Sequence, residues 1–429
     1  MATVYNWESQ IEQLEARLGV QKAQLCDLTT MGAVITSIHE IDKVLSVVMD
    51  MAIRLVDGEV GLIMMEEEGE LKPKISWGVS ETFARSLKHG EQMDLPSFCF
   101  SSGQAIVQND IGLRTEGIAL NSLIALPIRT AEKCFGVMII INKANGGPYN
   151  SQDQEILEML LNFVAVAVDN ALLMKETLRR QKVEQEMQIA RQVQETILPQ
   201  NLQAVEGVEI GSVYHPAREV GGDFYDIARL DNSSFVVLLG DVSNKGVPAA
   251  LVMSAASGII RSLLCTNPAI TMAELAGALN DLLASSIVKD REMYVTLFLA
   301  RVDVAARTLS YCNAGHLPGL FWDSTARQVR NLAAGGPIVG QFPGCAFIQE
   351  ECQLRTGDRL FLFTDGLTEA ADIYGQLFGR ERAEQAFVAG LELAPSAFCQ
   401  KMKETVDAFS KGAPDDTHDD FTVLQVWVK

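Results

Sequence analysis

The sequence predicts an α+β protein of two domains: a small α/β domain, a helical linker, and an α/β/β/α sandwich of two central sheets flanked by helices. Three observations carry this. The chain has 429 residues, more than the ~250 to 300 at which single cores stop growing. Two polar segments of helical period bracket a stretch of mixed strand and helix pattern. Beyond Pro199 come short runs apolar on both faces with helix signals between them, as the middle layers of a sandwich require. At 48% hydrophobic and 21% charged residues the composition is that of folded domains, not of a collagen-like or disordered chain.

In chain order, Trp7, Ile11, Leu14, Leu18, Leu25 and Leu28 stand at helical spacing, and residues 1–23 are assigned to an N-terminal helix. The small domain spans 24–170. Its strands are Glu59–Met65, Ser122–Ile128 and Cys134–Asn142, β-rich runs bounded by polar or glycine-containing turns. Ser151 with Gln154 forms a capping box at the start of a helix carrying apolar residues to Val168. A second helical segment, about Asp169–Leu198, ends at Pro199 and supplies the linker, 171–200. Its stripe of Val183, Met187, Ala190 and Ile197, with Gln194 in the gap, fits a coiled coil or a helix lying on its own domain. A homodimer is expected. In the second domain, 201–429, strands are expected at Ser234–Leu239, Val295–Val304, Arg359–Phe363 and Phe421–Val428. Helices are expected after Pro248, from the capping box Thr271 and Glu274, and after Pro395.

A net charge of −20 repels phosphate backbones and acidic membrane surfaces, so neither nucleic acid nor membrane is an expected partner. The first residues lack the basic and apolar regions of a signal or transit peptide. The apolar stretch Ile156–Val168 is 13 residues long, against the ~20 needed to span a bilayer. A cytoplasmic protein is expected. Eight cysteines without a C-x-x-C pair read as buried thiols, not as disulfides or zinc ligands.

Four acidic motifs stand where strands meet turns: G-G-D-F-Y-D at 221–226, G-D-V-S-N-K-G at 240–246, T-D-G at 364–366 and D-D-F-T at 419–422. Any one is explained as a turn. Four in one domain, with oxygen donors only, point to a hard cation, magnesium or manganese. With P-A-R-E-V before the first, N-A-G-H-L-P at 313–318 and the linker's E-M-Q-I-A-R-Q-V-Q-E-T-I-L-P, this pattern resembles the SpoIIE-type branch of the metal-dependent (PPM) serine/threonine protein phosphatases over about residues 186–429.

The resemblance implies a site with two Mn or Mg ions. Asp241 bridges them, the Val242 carbonyl adds an oxygen, Asp365 and Asp419 complete one ion, and Asp223 contacts the site directly or through water. Asp226 either joins them or caps the turn before Ile227, and Asp420 either joins them or orients its neighbour. Two such ions ~3.5 to 4 Å apart acidify a shared water that attacks phosphorus in line. His316 either gives a proton to the leaving oxygen or pins the turn from Asn313, and the turn is preferred. Arg218 either grips phosphate or neutralises local acid. Asn244 stands where the branch has glycine. The implied substrate is a phosphoserine or phosphothreonine in a phosphorylated protein, a STAS-type anti-sigma antagonist in a partner-switching circuit. A catalytically silent binding module is the alternative.

The stretch L-P-I-R-T-A-E-K-C-F-G-V-M-I-I-I-N-K resembles a GAF sensor domain, which implies a small-molecule ligand and, for one subgroup, cyclic-nucleotide sensing. That subgroup's N-K, F, D-E signature falls on Asn142, Lys143, Tyr149, Asp153 and Gln154, with two positions changed. The Asn and Asp of such a set also serve to tie a turn to a helix start without any ligand. Cys99 and His89 suggest a chromophore anchor, against which a thiol between Phe98 and Phe100 reads as core.

Overall fold

The computed structural model describes residues 40–80, 83, 94–115, 117–199, 205–286, 293–414 and 419–429. The helix expected over 7–28, the start of the small domain and His89 lie outside these residues. The chain divides into two compact units between Lys182 and Val183.

In the first unit, helix α1 (Ile41–Val56) buries Val44, Leu45, Val48, Met49, Ala52, Ile53 and Val56, a stripe of helical period. Strands β1 (Gly58–Glu67) and β2 (Glu70–Trp77) follow, then helix α2 (Leu95–Ser102) and strands β3 (Ile106–Thr115), β4 (Ile118–Arg129) and β5 (Cys134–Lys143). They form one antiparallel sheet in the order β2-β1-β5-β4-β3. The stripe of α1 packs with Leu157, Leu160, Leu161 and Val164 of the next helix in one core cluster. Val60, Leu62, Phe83 and Cys99 belong to another.

That next helix, α3, runs unbroken from Ser151 to Ile197. The capping box expected at Ser151 is displaced by one residue. Asn150 Oδ1 accepts from the Gln152 and Asp153 amides at 2.8 and 3.1 Å, and Asp153 Oδ2 accepts from the Asn150 amide at 2.8 Å. Gln154 instead donates to Glu158. An Asn and an Asp three apart satisfy the same orphan amides as a Ser and a Gln, so the motif alone leaves the register open. The continuous helix also corrects the membrane argument. Both α3 and the later helix Val247–Thr266 are long and apolar enough to cross a bilayer by length and composition. Each turns its apolar stripe into a core cluster.

The second unit holds β6 (Val208–His215), β7 (Phe224–Arg229), β8 (Ser234–Val242), α4 (Val247–Thr266), α5 (Met272–Ser286), β9 (Val295–Asp303), β10 (Thr308–Ala314), β11 (Gly319–Asp323), β12 (Gln328–Leu332), β13 (Gly335–Gly336), β14 (Glu350–Gln353), β15 (Arg359–Phe363), α6 (Asp365–Thr368), α7 (Gly379–Ala389), α8 (Pro395–Phe409) and β16 (Phe421–Val428). One sheet runs β13-β10-β9-β8-β7 with β14 paired to β10, and the other runs β12-β11-β15-β16-β6. Helices α4 and α5 lie against the first sheet and α8 against the second. β8 and β15 are buried almost throughout, which is why they read as continuous apolar runs. Thr271 and Glu274 make the expected capping box at α5.

Candidate active site

The acidic motifs come together from both sheets. Asp241 stands near the end of β8, opposite Thr296 of β9, and Asp223 immediately precedes β7, whose Phe224 pairs with Gly240. From the second sheet, Asp365 opens α6 just after β15, and Asp419 and Asp420 precede β16. Hydroxyls of that sheet hold the acid of the other. Thr364 Oγ1 and Thr422 Oγ1 donate to Asp223 Oδ2 at 2.7 and 2.6 Å.

Charge is crowded here. Burial and then the neighbouring Asp241 and Asp420 raise the Asp223 carboxyl well above its ordinary value, against the pull of the two threonines. Burial, then Asp365, Asp419 and Asp420, push Asp241 up to about 7. Burial, Asp419 and Glu369 push Asp365 to about 6. Like charges out of water disfavour ionisation, and a cation between them removes the penalty.

The donor chemistry fits a hard divalent ion. Every candidate ligand is an oxygen, and Asp223 Oδ1 is buried with no hydrogen-bond partner. At Gly222 a Cβ would stand 2.8 Å from the Val242 carbonyl oxygen, so only glycine leaves that oxygen its approach. Among the described residues no three His, Cys, Asp or Glu side chains are arranged to hold a metal ion as they stand. Asp419 instead pairs with Lys245 at 3.0 Å.

Asp420 and Asp226 act on the protein itself. Asp420 accepts from the Ala217 and Gly222 amides at 2.8 and 2.6 Å, folding the segment that presents Asp223. Asp226 caps the Ile227 amide at 2.8 Å and takes Arg261 at 2.6 and 3.0 Å. His316 is buried, its Nδ1 is 2.8 Å from Thr296 Oγ1, and its amide donates to Asn313 Oδ1 at 2.8 Å. Burial lowers its ring to about 4, which favours a neutral imidazole, and the hydrogen bond to Asn313 pins the turn. Arg218 is exposed. Asn244 takes the left-handed conformation at φ +70°, as its place in a glycine-favouring loop demands. Thr364, Thr422 and Lys245 escape a search for acids, although all three lie inside the acidic motifs.

In the first unit, the signature positions serve the domain's own structure. Asn142 accepts from the Asn121 amide and donates to Ala119 O, Tyr149 Oη donates to Asn142 O at 2.9 Å, and Lys143 pairs with Asp153 at 2.7 Å. None of them lines the nearby cavity of about 860 Å³ bounded by Met65, Lys74, Phe135, Leu172 and Lys175. Cys99 is buried, its thiol donates to Gln104 O, and burial pushes it up to about 12, the condition of an inert core thiol.

Residues 40–168 match the model of the GAF domain, and residues 231–429 match that of stage II sporulation protein E. The chain joins a GAF domain to a SpoIIE-type phosphatase domain. The phosphatase match takes in Asp241, Asp365, Asp419 and Asp420, and begins after Asp223 and Asp226. Phosphoserine phosphatase RsbU of Bacillus subtilis is 29% identical over 280 residues, 64% of this chain and 81% of that protein. Protein IcfG of Synechocystis is 30% identical over 270 residues, 56% of this chain and 41% of its own length. The SiaA-PP2C domain of Pseudomonas aeruginosa shares the fold, with a TM-score of 0.52 at 21% identity over 58% of this chain and 99% of that one.

Proposed function

We propose that this phosphatase removes phosphate from phosphoserine or phosphothreonine in a protein, with two Mn or Mg ions held by Asp241, Asp365, Asp419 and Asp223 and by the Val242 carbonyl. The observation that carries this is the convergence of buried and half-buried carboxylates from two sheets onto one place, where burial and mutual repulsion raise Asp241 and Asp365 above their ordinary values. Divalent ions there would acidify a bound water and draw in phosphate oxygens.

The chain's own part is to keep the acids facing. Thr364 and Thr422 fix one oxygen of Asp223 and leave the other, also buried, without a hydrogen-bond partner. Gly222 leaves Val242 open. Lys245, paired with Asp419, is a cation that can meet the substrate's phosphate once the ions take over that carboxylate.

The similarity to a protein named phosphoserine phosphatase supports the choice of substrate linkage. We extend this to a STAS-type anti-sigma antagonist in the cytoplasm, by analogy with the SpoIIE-type branch. The GAF domain supplies the signal, and the exposed Leu173, Leu178, Val183, Ile189 and Val193 along α3 favour a homodimer, to be checked by light scattering. Cyclic-nucleotide sensing gains no support, since the signature side chains are occupied within the domain, by one another, by neighbouring backbone and by Glu158.

The test is phosphate release from a phosphoserine peptide by the full chain, with manganese and with chelator. Manganese-dependent release is expected. A protein that binds manganese and releases nothing from phosphoserine or phosphothreonine peptides would leave only the silent binding module.

A further inference from the structure

We propose that Gln194, near the end of α3, is a positioning residue of the phosphatase site, clamping the loop that presents Asp223. On that turn burial runs opposite to polarity. Gln194 is 5% exposed while its apolar neighbour Val193 is 58% exposed. A helix that hides an amide and shows a valine is using the amide.

Both ends of that amide go to one residue. Nε2 donates to the Gly221 carbonyl at 2.7 Å, and Oε1 accepts from the Gly221 amide at 3.1 Å. The side chain thus pairs with the backbone as a neighbouring strand would. From the other direction Asp420 takes the Gly222 amide at 2.6 Å. A Cβ at Gly221 would lie 2.6 Å from Asp420 Oδ2 and 2.7 Å from Tyr214 Oη, so the clamp closes on a glycine because nothing larger fits.

A second tie lies on the other side of Asp223. Arg261 holds Asp226 through Nε and Nη2, and its Nη2 also donates to Ile197 O, the end of α3, at 3.0 Å. Gly221 is bound directly, and Asp226 through Arg261 of α4, to the last turns of one helix, with Asp223 between them. A displacement of that end is therefore passed to the acid by hydrogen bonds, without any change among the acids themselves. This proposal rests on reading Asp223 as a metal-holding residue. Supports of this kind are worth about 10- to 100-fold in metal affinity.

The test compares the full chain with Gln194→Met, which keeps an unbranched side chain of similar length and loses both hydrogen bonds. Three quantities are measured: manganese binding by calorimetry, hydrogen exchange of fragments spanning Val220–Phe224 in chelator, and phosphate release. Expected are a manganese dissociation constant about 10- to 100-fold higher, faster exchange in that fragment, and turnover that recovers at saturating manganese. Unchanged manganese affinity with unchanged exchange overturns the proposal. If the variant does not fold, exchange in the wild type decides. Protection at Val220–Phe224 comparable to the flanking strand supports the clamp, and exchange as fast as at exposed Arg218 and Glu219 refutes it. Exchange in chelator requires no catalysis, so a wild type that neither binds manganese nor releases phosphate would sink the phosphatase mechanism while the clamp is decided separately.

Discussion

Asp241 carries an energetic cost that a cation removes. Its ordinary value of 3.8 is raised to about 7 in the folded protein without metal. The folded state therefore keeps a proton that the unfolded chain releases. The stability tied to that proton is present below about pH 4 and lost as pH rises through 7, at most about 4 kcal/mol. Asp241→Asn, with chelator present, should accordingly melt above wild type at pH 7.5, with the gap closing toward pH 4, while losing nearly all phosphatase activity. Calorimetric melting at both pH values and phosphate release at saturating manganese check the two halves. A variant that melts with wild type at pH 7.5 would mean that the acids do not repel. Asn244, at φ +70°, is a case of backbone and not of charge. Asn244→Gly should retain activity, and Asn244→Val should lose about 1–2 kcal/mol by denaturant unfolding, because a β-branched side chain is poorly tolerated in the left-handed region.

Among the elements, strands are legible because burial on both faces writes itself as an apolar run. Arg359–Phe363 and Phe421–Val428 stand where the pattern places them. The start of α3 is less legible, since capping residues lie side by side in N-S-Q-D-Q and only the hydrogen bonds choose between them. Asn150→Ala should cost about 1 kcal/mol of stability and Ser151→Ala almost nothing, a contrast that thermal melts of the two variants resolve. In sequence the same helix looks like two segments. Its polar second half lacks the dense burial of the first, yet nothing in the sequence breaks the backbone hydrogen bonds before Pro199.

For the whole molecule, α3 belongs to both units, and we propose that a signal from the GAF domain passes along it. An insertion of two residues near Gln181 turns the downstream part of the helix by about 200° at 3.6 residues per turn. Altered basal phosphate release or loss of any GAF-dependent response is expected, with folding of the phosphatase unit preserved by circular dichroism. Wild-type activity and response in that variant would make the segment a tether only.

What the sequence determined by itself was the layered fold, with a GAF-type and a SpoIIE-type part, and it singled out the acids as candidates, because apolar periodicity and acid-glycine turns are local patterns. Tertiary structure alone decided what those acids touch. Asp420 and Asp226 bind backbone and arginine, residues 364 and 422 lend their hydroxyls to Asp223, and Gln194 reaches Gly221 across 27 positions of sequence. Such partners are chosen by which strand ends a two-sheet sandwich brings together, and hydrogen bonds between distant segments leave no periodic mark in the chain.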